Sequence, residues 1–275
     1  MSNPVFENSP YFGDPRDKRR SRAGASTTAV TGQQVQDLEQ AYAGPAATPV
    51  QTGRMTYDDV IIKSSGLLAI IVATAAVAWF VFPGNALVMF TGLIGGLVLG
   101  LVNAFKREPS PGLIVGYAAF EGLFLGGISQ VFEASYGGIV MQAVLATFAT
   151  FAATLLLFTS GKVRVTPKFT RVVLIAGAGY LLFSLVNLGL MVFGVMDNAW
   201  GVRGLTIMGI PLGVVIGLAA VVLAAAFLVM DFDAIKRGVE GGIPARFAWS
   251  AAFGLVVTLV WLYLEFLRLL AILRE

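Results

Sequence analysis

Residues 253–273 read FGLVVTLVWLYLEFLRLLAIL, and this stretch decides the fold class. As a helix it rises about 30 Å, the thickness of a bilayer's hydrocarbon core. It reads as a transmembrane span. Its only charged residues are Glu265 and Arg268, three apart on one helix face. Working outward, six further apolar segments of similar length occur at 62–82, 86–105, 112–132, 138–159, 172–195 and 206–230. The breaks between them carry the expected punctuation, for example Pro83-Gly84-Asn85 and the run from Lys106 to Pro111. Over all 275 residues, 57% are hydrophobic and only 13% charged, where a soluble domain would carry nearly twice that share of charge. The chain is an all-α polytopic membrane protein of seven spans. Residues 56–275 form the transmembrane domain, whose short loops leave no room for a folded extramembrane unit.

Residues 1–55 read differently. They hold Asn3-Pro4, Ser9-Pro10, a basic run from Arg16 to Arg22 and an Ala/Gly/Pro/Thr tract from Ala41 to Gly53. With too little apolar surface to offset ordering entropy, the stretch is expected to be a disordered cytoplasmic tail. No apolar run follows the basic cluster, so a signal peptide is not expected. Thr56 and Asp59 stand at capping-box spacing and mark the start of the first helix.

Loop charge sets the expected orientation. Basic residues collect in the tail, in the second loop (Lys106, Arg107), the fourth (Lys162, Arg164, Lys168, Arg171) and the sixth (Lys236, Arg237, Arg246). The first and third loops have none, and the fifth has only Arg203. Lys and Arg favour the cytoplasmic side, so the N-terminus is expected inside and the C-terminus outside a bacterial plasma membrane. The net charge of +3 then reflects loop asymmetry, and nucleic acid is not expected as a partner.

Glycines recur every four residues at Gly92, Gly96 and Gly100, at Gly122 and Gly126, and at Gly209, Gly213 and Gly217. Small residues at this spacing let helix backbones approach where lipid supplies no drive for association. Pro211, within the last series, should kink the sixth helix or mark its beginning.

Cysteine and histidine are both absent. That removes disulfides, thiol nucleophiles, Cys/His zinc sites and His-based triads. No span supplies a Schiff-base lysine for retinal, with the Lys63 end of the first as the only position to consider, and no phosphate-cradling Gly-x-x-x-x-Gly-Lys loop occurs. The expectation is a protein that is not an enzyme and needs no cofactor. An ionisable group within a span costs roughly 2.5–3.5 kcal/mol at the bilayer centre, so each is a functional candidate. They are Glu121 in the third span, Asp231 and Asp233 at the end of the sixth, and Glu265 with Arg268 in the seventh, beside the uncharged Gln142 and Asn187. Glu265 and Arg268 could equally be a local ion pair that only permits insertion, and Asp233 a solvated partner of Lys236 and Arg237. Carboxylates withdrawn from water hold protons in competition with hard cations, which prefer oxygen ligands. A cation or proton path is the class of function these residues point to.

Several motifs together carry a family resemblance. Glu121-Gly122-Leu123-Phe124-Leu125-Gly126, Met230-Asp231-Phe232-Asp233 and Tyr263-Leu264-Glu265-Phe266-Leu267-Arg268-Leu269-Leu270 resemble the Bax inhibitor-1 family. The Asn3-Pro4-Val5-Phe6 start, Met55-Thr56-Tyr57-Asp58-Asp59-Val60 and Trp261-Leu262-Tyr263-Leu264-Glu265 are similar to its branch common in actinobacteria. The resemblance implies six helices around a central seventh and a pH-sensitive calcium leak. In the family's bacterial prototype, an aspartate ending the sixth span and another in the seventh form a proton-sensing pair. Asp231 falls on the first position. For the second, Glu265 is the nearest acid, although its separation from Asp231 is longer here, and aligning the Phe-x-x-Leu-Leu ending places Trp261 or a neighbour there instead. If 253–273 spans the bilayer, Asp231 and Glu265 differ in depth by roughly 15 Å, so an acid site built from Glu121 and Glu265 stands as the alternative. The functional expectation is a pH-modulated calcium leak or cation/proton exchanger, with Ca2+ as transported ion and lipid as surroundings. A non-transporting protein that modulates a membrane protease or stress response is the second reading.

Overall fold

The computed structural model describes residues 53–275 apart from Asp197, Ala199 and Met208. The expectation of a disordered tail over 1–55 therefore lies outside the described residues, except for the last three. Seven helices follow: α1 (Tyr57–Phe80), α2 (Ala86–Phe105), α3 (Pro111–Ser135), α4 (Ile139–Thr159), α5 (Pro167–Val192), α6 (Leu212–Glu240) and α7 (Ala248–Ile272). Each is long and apolar enough to cross a membrane. The all-α, seven-span reading holds.

Local chemistry sets the helix starts. At α1 the Thr56 hydroxyl accepts from the Asp59 amide at 3.1 Å while the Thr56 amide donates to Asp59 Oδ2 at 3.1 Å, so two otherwise orphaned donors are satisfied. Thr56→Ala should cost about 1 kcal/mol of stability, read as a lower midpoint of thermal unfolding in detergent. Asn85 caps α2 through the Leu87 and Val88 amides. Pro111 and Pro167 open α3 and α5, where a missing N–H costs nothing.

The sixth span departs from expectation at both ends. Thr206–Ile207 and Ile210–Pro211 form a two-stranded antiparallel hairpin, β1 and β2, and helix begins only at Leu212. Pro211 is the N-cap, so it marks a beginning rather than a kink. Gly209 sits in the hairpin turn at φ +82, outside the helical glycine series. At the other end, Asp231 and Asp233 do not close the helix, because α6 continues to Glu240. Ile235 and Gly238 are buried there, so the extra turns have their own packing. Residues 53–55 belong with this region: the Met55 amide donates to the Ile243 carbonyl at 2.8 Å, and Met55 packs with Val60, Ile235 and Ala248.

Helix α7 is the centre of the bundle. Buried residues make up 61% of its most apolar window, against 11% for α2 and α5. It packs on α1, α3, α4 and α6. One side meets Leu67 and Ile71 of α1 and Ile114 and Ala118 of α3 through Val256 and Val260. Another meets Ala224 and Leu228 of α6 through Leu255, Leu259 and Leu262. Leu267 and Ala271 bury Ile139 and Ala143 of α4. Helices α2 and α5 form an outer layer, α2 on α3 and α5 on α6.

Close backbone approach organises α1, α2 and α3. A Cβ on Gly122 would collide with the Ile71 carbonyl and the Thr74 hydroxyl, and one on Gly126 with the Ala75 carbonyl. One on Gly92 would lie 2.5 Å from the Phe124 nitrogen. These helices touch where only hydrogen fits.

Candidate functional site

The seventh helix carries Trp261, Glu265 and Arg268 at spacings of four and three, which places all three along one face. Glu265 is 2% exposed. Its Oε1 accepts from Arg268 Nη1 at 2.7 Å, from Trp261 Nε1 at 3.2 Å and from the Tyr180 hydroxyl of α5. A second guanidinium arrives from the connection between α5 and α6. Arg203, in the 3-10 turn Gly201–Gly204, is 3% exposed and donates from Nη2 to the Tyr180 oxygen at 2.6 Å. Its Nη1 stands 3.6 Å from Glu265 Oε2, within ion-pair reach but beyond a hydrogen bond, and neither atom has another hydrogen-bond partner. Its guanidinium carbon lies 5.4 Å from the Tyr180 ring centre and 5.6 Å from that of Phe183, so both aromatic faces help to hold the charge. Two guanidiniums thus face one carboxylate.

The connection that delivers Arg203 is itself built into the bundle. Asn187 of α5, also buried, accepts from the Val202 amide at 2.7 Å and donates to the Trp200 carbonyl at 3.2 Å. Gly201 takes φ +59 against the Asn187 side chain, a conformation that favours glycine. Gly213 lets the Arg203 backbone close on α6, since a Cβ there would lie 2.8 Å from the Arg203 carbonyl. Trp200 Nε1 reaches Glu275 at 2.7 Å. Arg274 donates to the Tyr136 and Gly137 carbonyls and, at 2.7 Å, to Gln142.

The other expected site residues lie apart from this cluster. Asp231 accepts from the Thr258 hydroxyl of α7 at 2.7 Å, and no cationic side chain pairs with it among the described residues. Thr258 and Glu265 are seven residues apart on α7, about 10 Å along its axis. Asp231 and Glu265 therefore do not form a carboxyl pair. Where the resemblance implies a second acid opposite Asp231, the seventh helix presents a hydroxyl. Glu121 faces α2, and a Cβ on Gly96 would lie 2.7 Å from its Oε2. Its carboxylate makes no hydrogen bond among the described residues and shares no partner with Glu265. Asp233 pairs with Arg237 at 2.7 Å on the same helix. Among the described residues, no three acids converge as a metal site would require.

Two grooves open on the bundle's sides, and charged residues line neither. One of about 410 Å3 runs between α1 and α4 over α7, its Ser129 and Tyr263 hydroxyls paired with each other at 2.7 Å. The other, about 510 Å3, separates α5 from α6. Their apolar walls suit lipid chains rather than ions.

Arg203, Tyr180 and Trp261 were not among the residues the sequence singled out as candidates. The available signal was slight: Arg203 is the one basic residue of the fifth connection, close behind Trp200 and Gly201.

Fold and site together define a multi-pass membrane protein with seven spans, a buried C-terminal helix and an ion cluster held on it. A family model described as Bax inhibitor 1 like matches residues 3–275. The chain belongs to the Bax inhibitor-1-like family. No match is found among curated proteins.

Proposed function

We propose that this protein is a pH-modulated calcium leak or cation/proton exchanger of the plasma membrane, with its N-terminus cytoplasmic and its C-terminus outside. The observation that carries the reading is Asp231, a carboxylate inside a membrane-spanning helix whose hydrogen bond comes from a neutral hydroxyl and which has no cationic partner among the described residues. Such a group costs free energy to place, and a cation or a proton would neutralise it. Glu121 supports the reading in the same way. Glu265 contributes differently, since Arg203 and Arg268 already neutralise it. An ionised carboxylate is a hard-cation ligand and a protonated one is not, so flux through Asp231 should respond to pH.

Purified protein in liposomes loaded with a calcium-sensitive dye tests this. Wild type should pass calcium at a rate that varies with pH, and Asp231→Asn should lower that rate by tenfold or more and remove its pH response. Wild-type flux no greater than that of protein-free liposomes would sink the proposal. Calcium flux with an unchanged pH profile in Asp231→Asn would remove Asp231 from it.

The reading as a non-transporting interaction protein has one observation in its favour. Gly53 and Met55 are hydrogen-bonded to the α6–α7 connection, so the chain enters the bundle at a fixed point on that connection. Deleting residues 1–52 discriminates, because loss of a cellular phenotype with calcium flux intact favours the interaction role.

A further inference from the structure

The Glu265 carboxylate is the most deeply buried acid among the described residues, and protein guanidinium already occupies the positions a metal cation would take. Three oxygens converge there: Glu265 Oε1, Glu265 Oε2 and the Tyr180 hydroxyl. Arg268 stands one helix turn from Glu265 on α7 itself, so its guanidinium stays within reach of the carboxylate wherever the connection lies. Arg203 is different. It is carried by the α5–α6 connection, which meets the bundle through Asn187, through Trp200 against α4, α7 and Glu275, through the close contact at Gly213 and through the guanidinium itself. Its grip on the carboxylate is also incomplete, with Nη1 and Oε2 facing each other at 3.6 Å and neither otherwise bonded.

We propose that Arg203 is a tethered cation: it occupies the face of Glu265 that a metal cation would bind, so the α5–α6 connection competes with calcium for this carboxylate. The inference rests on the cation-transport reading above. Coulomb's law at short range in a poorly screened interior makes the guanidinium and an incoming divalent ion mutually exclusive at this distance. Withdrawing the connection exposes an acid and a phenolic oxygen to the side of the bundle that holds the C-terminus. With so few protein oxygens the exposed site would hold calcium weakly and partly through water, as suits a transit site rather than a store.

Arg203→Met should raise calcium flux in liposomes by about tenfold over wild type, and Arg203→Met combined with Glu265→Gln should return it to the wild-type rate or below. Asn187→Ala, which loosens the connection without touching the ion pair, should give a smaller rise in the same direction. Two readouts do not depend on transport. In detergent, calcium chloride should raise the melting temperature of Arg203→Met and leave that of wild type unchanged. The chain has no cysteine, so Val202→Cys introduces a single thiol, and a water-soluble maleimide should label it several-fold faster when Glu265→Gln is added. If wild type passes calcium and neither Arg203→Met nor Asn187→Ala exceeds it, the tethered-cation proposal is overturned. An unchanged labelling rate overturns it as well, because Glu265 then does not hold the connection. If no variant passes calcium above protein-free liposomes, the transport reading fails. The melting and labelling experiments then decide on their own whether Arg203 screens Glu265.

Discussion

Glu265→Ala should be among the most destabilising single substitutions in the chain, costing about 3–5 kcal/mol and lowering the thermal midpoint in detergent by on the order of 10 °C. The change removes the one carboxylate that, among the described residues, faces Arg203 and Arg268, and it takes an acceptor from Trp261 and Tyr180. Arg203, being 3% exposed, cannot recover hydration where it stands. An unpaired guanidinium buried beside apolar helices loses far more than the pair itself contributes, because the desolvation of the surviving charge is no longer offset. The same argument predicts a rescue. Glu265→Leu combined with Arg203→Met and Arg268→Met removes every charge together and should recover most of the lost stability. A Glu265→Ala protein that melts within a degree or two of wild type would show that the cluster is not held by charge.

Gly122→Leu and Gly126→Leu should abolish assembly of α1 against α3, so that the protein aggregates on extraction instead of eluting as a single species in detergent. The added atoms meet backbone: the Ile71 carbonyl at Gly122 and the Ala75 carbonyl at Gly126. Backbone cannot rotate aside as a side chain can. Two glycines within spans serve as controls, since a Cβ on Gly66 or Gly179 meets nothing within 4 Å. Alanine at those positions should be tolerated or add up to about 1 kcal/mol through helix propensity. Size-exclusion profiles of the four variants separate the two classes. Equal behaviour of all four would mean that close backbone approach does not hold α1 and α3 together.

The glycine series illustrates how far pattern reading reaches. Gly92, Gly122 and Gly126 make the close contacts that four-residue spacing implies, because that spacing is a property of one helix and survives any arrangement of its neighbours. Gly209 has the same spacing from Gly213 yet lies in a hairpin turn. Spacing cannot announce that a helix has not begun; only the N-cap at Pro211 does so. Asp231 and Asp233 mislead in the opposite sense. Two acids look like the end of a helix, but α6 runs on to Glu240 because its extra turns bury Ile235 beside Met55 and Ala248. Glu265 and Arg268 were visible as an ion pair three residues apart on one helix. The rest of the cluster was not visible, because Tyr180 reaches Glu265 across 85 residues of chain.

The sequence alone determined the solvent, the number of spans, the capping box at Thr56 and the short set of charges placed among apolar residues. These follow from composition, length and spacings within one helix, and tertiary contacts do not alter them. The tertiary structure decided which charges meet. Asp231 faces Thr258, Glu121 faces α2, and Glu265 receives Arg203 from a connection that folds back onto the bundle. The physical reason is that burial makes an unpaired charge costly without naming its partner. The partner is chosen by packing, here through Asn187, Gly201 and Gly213, which bring the Arg203 backbone close enough for its side chain to reach the central helix.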